Sequence, residues 1–165
     1  MIILEGPNGA GKSVLAEKLS ERYGLVTHKF KEIPQNLREF NRQQNKSIEL
    51  IHRPIIQDRC PIISDYCYAR YNTQRRRPLC TANEIVSFLR TFKPLLIFCW
   101  AQRLKPTRPT PIREMQWVPK RYVALQQHLI DNDCDFMIHD YSVPSLAKHL
   151  EFLIGVRLKK KGWER

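Results

Sequence analysis

At 165 residues the chain can bury one substantial core and has little room for a second, so 1–165 is read as a single domain. Its 28 Lys+Arg against 16 Asp+Glu give a formal charge of +12, which favours polyanionic partners and says nothing about the fold. Five scattered cysteines (Cys60, Cys67, Cys80, Cys99, Cys134) with no C-x-x-C pair exclude a disulfide framework and a zinc site, and the apolar runs are too short to cross a bilayer; a cytoplasmic protein with no leader and no membrane partner is expected.

The chain opens with an apolar run, Met1-Ile2-Ile3-Leu4-Glu5, followed by Gly6-Pro7-Asn8-Gly9-Ala10-Gly11-Lys12-Ser13 and an amphipathic run from Val14. Strand, glycine loop and helix follow, and the loop satisfies every fixed position of G-x-x-x-x-G-K-[ST], the Walker A pattern. Gly6, Gly9 and Gly11 allow consecutive N–H groups to turn inward around a triphosphate at the helix N-terminus, with Asn8, Ala10 and Val14 lining it. Lys12 would reach the β- and γ-phosphates and Ser13 would ligate Mg²⁺. In the empty loop Lys12 is expected to face solvent.

The first helix should stop near Tyr23-Gly24, with the glycine as its cap. Leu25–Phe30 reads as a second strand with Lys29 and Lys31 near its end, and Ile33–Ile51 as one or two helices, within an acceptor-side insertion spanning 31–52. Arg53–Asp58 reads as a buried strand, and Pro61 suits the first turn of a helix over Ile62–Tyr71. A solvated loop with Arg75-Arg76-Arg77 follows, then a capping box at Thr81-Ala82-Asn83-Glu84 that starts a helix with Ile85, Val86, Phe88 and Leu89 inward. Pro94–Trp100 is the clearest later strand. Ala101–Val118, rich in proline and arginine, reads as a mobile, lid-like basic loop; Pro119 then opens a helix to about Asn132. Phe136–His139 is the last strand, Ser145–Val156 the last helix, and Arg157–Arg165 a frayed basic tail.

Strand and helix alternate throughout, which predicts an α/β fold: a three-layer αβα arrangement on a central five-stranded parallel sheet with right-handed crossovers. Ligands bind beyond the carboxyl ends of such strands, an edge that collects Glu5, the glycine loop, Lys29, Asp58, Arg59, Gln102, Arg103 and Asp140.

Phosphoryl transfer needs a γ-phosphate held, its charge neutralised and an acceptor oxygen placed in line. Lys12, Ser13 with Mg²⁺, and the loop amides supply the first two. Glu5 and Asp58, at neighbouring strand tips, are the carboxylates available to orient or deprotonate an acceptor or to hold metal-bound water. Arg103, Arg108 and Arg113 lie where arginines closing over a transferred phosphate would be needed. Tyr68, Trp100 and Trp117 could stack on a base, although core packing suits Trp100 better; His28 and His139 are assigned no role.

With Glu5-Gly6 entering the loop, Asp58-Arg59 after the third strand, Ser64 and Tyr68 on the next helix, and an arginine-rich loop after the fourth strand, the chain resembles the P-loop nucleoside and nucleotide kinases over its whole length. The likeness is greatest to thymidylate kinases and deoxynucleoside kinases. Likeness to the deoxynucleoside kinases implies that Glu5 is the base for a sugar hydroxyl; likeness to the thymidylate kinases implies that Asp58 and Arg59 meet an acceptor phosphate. His28-Lys29-Phe30-Lys31-Glu32 departs from the glycine-rich segment that thymidylate kinases carry after the second strand. Three functions follow. The first is an ATP-dependent kinase with a nucleotide acceptor, most simply a deoxynucleoside monophosphate. The second is a kinase acting on a hydroxyl carried by DNA, either an end or a hydroxymethylated base, favoured by Lys29, Lys31, Arg38, Arg42 and Lys159-Lys160-Lys161; single-stranded DNA is then a candidate partner. The third, a nucleotide switch or nucleic-acid-binding ATPase module, would want a strand ending in two acidic residues, which Gln57-Asp58-Arg59 does not supply. The small size suits a phage or virus, and the sequence sets no oligomeric state.

Overall fold

A computed structural model describes residues 1–30, 32–72, 77–101, 104, 111–160 and 162. The elements run β1 (Ile2–Glu5), α1 (Lys12–Tyr23), β2 (Val26–Lys29), α2 (Leu37–Leu50), β3 (Ile55–Asp58), α3 (Pro61–Asn72), α4 (Ala82–Phe92), β4 (Leu95–Trp100), α5 (Ile112–Asp131), β5 (Met137–Asp140) and α6 (Pro144–Lys160). All strand pairs are parallel and the order is β2-β3-β1-β4-β5, so β1 lies at the centre and its tip is flanked by those of β3 and β4.

Residue alternation along β1 builds two cores. Ile3 packs with Phe40, Ile63, Tyr68, Ile85 and Tyr122 beneath α2–α5, whereas Ile2 and Leu4 pack with Leu15, Leu19, Ile154 and Leu158 beneath α1 and α6. Helices therefore cover both faces of the expected five-stranded sheet. Gly24 caps α1 with φ 65°, and Thr81 and Glu84 make the full reciprocal capping box of α4.

Of the one or two helices read over Ile33–Ile51 the structure has one, α2, started by the Asn36 side chain accepting from the Glu39 N–H at 2.9 Å. Two sequence expectations need correction. The loop read over Ala101–Val118 ends earlier, since α5 begins at Ile112 and holds Pro119 in its interior. A proline there removes one helical hydrogen bond and costs about 3 kcal/mol or more, and burial of Val118, Tyr122, Leu125 and Leu129 on the same helix offsets it. The last helix does not fray after Val156: Leu150, Ile154 and Leu158 recur every fourth residue on its buried face, carrying α6 to Lys160. No described helix is long and apolar enough to cross a membrane.

Candidate active site

The glycine loop joins the tip of β1 to the start of α1 and needs its glycines for two separate reasons. At Gly6, φ is 140° and a Cβ would run into the backbone carbonyl of Cys99 on β4. At Gly11, the residue before α1, φ is 77° and a Cβ would lie 2.5 Å from Cδ1 of Tyr141. Gly9 also has positive φ, 79°, and its carbonyl accepts from the Tyr141 hydroxyl at 3.2 Å. Tyr141, just beyond β5, thus covers the loop. It was not singled out from the sequence, although its place after the fifth strand tip puts it on the ligand-binding edge.

Lys12 does not face solvent. It is 7% exposed, and its ammonium donates to the carbonyls of Gly6 at 2.8 Å and Pro7 at 2.7 Å. Burial, reinforced by the nearby Arg59 charge, pushes its pKa down to about 7. Its ammonium is held by neutral carbonyls, and the nearby Glu5 and Asp58 charges offset its desolvation only in part. Ser13 and Val14 stand exposed at the start of α1, and Ala10 is buried beneath the loop.

Asp58 ends β3 beside the tip of β1. Its Oδ2 meets Lys29 Nζ at 3.1 Å, and its Oδ1 is buried with no hydrogen-bond partner among the described residues. Arg59 follows with φ 74°, a left-handed conformation that costs a non-glycine residue about 1–2 kcal/mol. Its guanidinium lies 4.6 Å from the Tyr68 ring and Nη2 donates to Asn8 Oδ1 at 2.6 Å, while Nη1 is buried without a partner among the described residues. Asn8 also donates to the buried carboxylate of Glu114 on α5, so one loop side chain ties Arg59 to that helix.

Glu5 sits differently from Asp58. It is fully buried, and its oxygens accept from the Cys60 N–H, the Ser64 hydroxyl at 3.0 Å and the Tyr122 hydroxyl at 2.6 Å. Burial pushes its pKa up, outweighing the Arg59 charge and the Tyr122 bond. Ser64 and Tyr68, which the sequence places near the acceptor, are both buried: Ser64 on Glu5, and Tyr68 against Arg59 with its hydroxyl 3.3 Å from the Gly6 carbonyl.

A cleft of about 840 Å³ joins these groups, lined by Asn8 through Val14 together with Lys18, Lys29, Phe30, Asp58, Arg59 and Tyr141. The structure therefore brings together the loop residues, Lys12, Ser13, Asp58 and Arg59, and leaves Glu5 behind them in the core. Arg103 and Arg108 lie outside the described residues, as do Lys31, Arg75, Arg76, Gln102 and Lys161. Arg113 is exposed on the first turn of α5. Among the described residues no group of three acidic, histidine or cysteine side chains could hold a metal by itself. The pair Ser13 and Asp58 nonetheless suits Mg²⁺, which takes one or two protein oxygens and fills its shell with phosphate and water; the partnerless Asp58 Oδ1 is such an oxygen.

No protein-family model and no curated protein matches the chain. Among solved structures it is similar to the YorR protein of Bacillus subtilis in complex with phosphorylated GDP, at 21% identity over 96% of both chains with a TM-score of 0.68. It is also similar to deoxyadenosine kinase from M. mycoides. With dCTP bound, that enzyme matches at 17% identity over 94% of this chain and 100% of its own, TM-score 0.54. With dATP bound, the figures are 16%, 93%, 98% and 0.51. Likeness at this level speaks for architecture alone: a five-stranded parallel sheet covered by helices on both faces, with a glycine loop at the tip of its central strand.

Proposed function

We propose that the protein is a phosphotransferase that moves the γ-phosphate of ATP to a nucleotide acceptor, most simply a deoxynucleoside monophosphate. The observation that carries this is the shared cleft: a phosphate-binding loop on one side, and a buried carboxylate and guanidinium on the other, each with a partnerless atom. Unpaired buried polar groups are costly, and a ligand that pairs them recovers that cost.

The loop amides from Gly6 to Val14 hold the donor phosphates, and Lys12 moves its ammonium from the Gly6 and Pro7 carbonyls onto the β- and γ-phosphates. Ser13 and Asp58 would hold Mg²⁺, which would neutralise charge on the phosphate oxygens. Arg59 turns Nη1 to the acceptor phosphate. In the transfer, the acceptor oxygen bonds to the γ-phosphorus as the bond to the β–γ bridging oxygen breaks and ADP leaves. A monophosphate acceptor is already an oxyanion and needs no strong base, which fits a site where the one cleft carboxylate is Asp58 and Glu5 is enclosed by three donors. Glu5 is then a positioning residue that pins the Cys60 amide and Ser64 at the start of α3. Arg103 and Arg108, which follow β4 in the sequence, are assigned to the transferred phosphate; Arg113, on the first turn of α5, lines a separate groove.

The reading is tested by transfer of radiolabelled γ-phosphate to deoxynucleosides, deoxynucleoside monophosphates and single-stranded DNA offered side by side. Transfer to monophosphates is the expected result. Transfer to DNA ends alone would replace it with the polynucleotide reading, for which the exposed Arg38 and Arg42 on α2 speak. ATP hydrolysis with no acceptor labelled would overturn both.

A further inference from the structure

The C-terminal end of α3 and the N-terminal half of α5 enclose a second groove of about 430 Å³, lined by Arg70, Tyr71, Pro111, Arg113, Glu114 and Trp117. None of these residues belongs to the phosphate loop or the Asp58-Arg59 pair. Trp117 is 48% exposed although it is the kind of side chain a folded protein gains most by burying. Arg113 and Trp117, four apart, share one face of α5, and the Lys120 ammonium lies 4.6 Å from the indole ring. Tyr66 and Arg70, also four apart, share a face of α3, and the Arg121 guanidinium stacks 4.2 Å over the Tyr66 ring while donating to the Tyr66 carbonyl at 3.0 Å. Cations and aromatic rings therefore alternate across the two helices. Among the described lining residues the one acid, Glu114, is buried and engaged by Asn8, so their outward charge is positive.

We propose that this α3–α5 groove binds single-stranded nucleic acid, with a base stacked on Trp117 and backbone phosphates on Arg70, Arg113 and Lys120. Rings at intervals among cations suit a polymer that repeats base and phosphate, whereas a lone anion would make no use of the indole. A folded acidic protein would meet the cations but leave the ring half covered. The site is separate from phosphoryl transfer and does not rest on the identity of the acceptor.

The test is fluorescence anisotropy of a labelled oligodeoxythymidylate without ATP, across a range of salt. With phosphates on Arg70, Arg113 and Lys120, the log–log salt slope is expected to be about −2, at about −0.7 per phosphate. Trp117→Ala should weaken binding by about 5- to 150-fold, the worth of one base–aromatic stack, and leave the slope unchanged. Trp117→Phe should keep most of the affinity, which separates lost stacking from lost folding. Arg70→Gln and Arg113→Gln should each flatten the slope by about 0.7. Lys12→Ala should bind the strand as wild type does, even if it transfers no phosphate. Wild-type affinity in Trp117→Ala, an unchanged slope in both arginine variants, or strictly competitive displacement of the strand by ATP, with an apparent Kd that rises with ATP without levelling off and so places the strand in the nucleotide cleft, overturns the proposal.

Discussion

Replacing Tyr122 by Phe tests whether Glu5 is a core anchor or a catalytic base. The substitution keeps the ring, so its edge-to-face contacts with Tyr68 and Phe98, both with centroids 6.0 Å away, survive and no cavity opens. What disappears is one hydroxyl donating at 2.6 Å to a fully buried carboxylate. A hydrogen bond to a charged group contributes about 1.5–3 kcal/mol, which for a domain of this size lowers Tm by about 3 to 12 °C. The loss should depend on pH in a definite direction. Burial already holds the folded pKa of Glu5 above its ordinary value of 4.5, so its ionisation subtracts stability as pH rises through and beyond 4.5. Removing the Tyr122 donor raises that pKa further, so the gap between variant and wild type should be small below pH 4.5 and widen above it. Thermal unfolding followed by circular dichroism from pH 4 to 8 measures this, with turnover measured on the same samples. An unchanged Tm together with a collapse in turnover would refute the reasoning and return Glu5 to the role of base.

Lys12→Met should fold normally and lose turnover by about 10²-fold or more, since the work of Lys12 is charge stabilisation. Because its pKa in the ligand-free protein is held at about 7 and phosphates restore its charge, calorimetric titration of ATP at pH 8 in two buffers should show proton uptake in wild type that Lys12→Met lacks. Ligand-free wild type should also gain stability relative to Lys12→Met between pH 7 and about 10, where the unfolded lysine keeps a proton that the folded one has shed. Asp58→Asn should lose turnover by about 10²-fold with Mg²⁺-free ATP binding intact, by analogy with removal of one charge-stabilising group; loss of metal-free binding as well would assign Asp58 to the fold instead. Gly11→Ala should lower Tm through both its φ of 77° and the Tyr141 collision, and adding Tyr141→Ala should recover only the steric part. Full recovery would show that backbone strain there costs little.

The sequence made the phosphate loop and the strand order's raw material plain, because Gly6 to Ser13 is a fixed pattern and Met1–Leu4 and Leu95–Trp100 are unbroken apolar runs. Asp58 and Arg59 were legible as residues following a buried strand. The start of α5 was not: Pro111, Arg113 and Pro119 read as loop residues, and what makes them helical is burial of Glu114 and Val118 against groups over a hundred residues earlier, including Asn8. The enclosure of Glu5 was hidden for the same reason, since two of its donors, Ser64 and Tyr122, come from distant helices. The seat of Lys12 was missed because nothing in a G-K-S pattern tells which way its lysine points before phosphate arrives.

The two bonds of Asn8, one to Arg59 and one to Glu114, have a consequence for how the protein would respond to two ligands at once. A phosphate entering the loop competes for the environment of Arg59, whereas anything that shifts the first turn of α5 moves Glu114. Both changes converge on a single amide, so each ligand's affinity would be altered by the presence of the other, and by the same factor in either direction. That factor measures how much free energy passes through one asparagine at a variable position of the motif. Asn8→Ala would set it near one while leaving the glycines, the lysine and the serine of the loop in place.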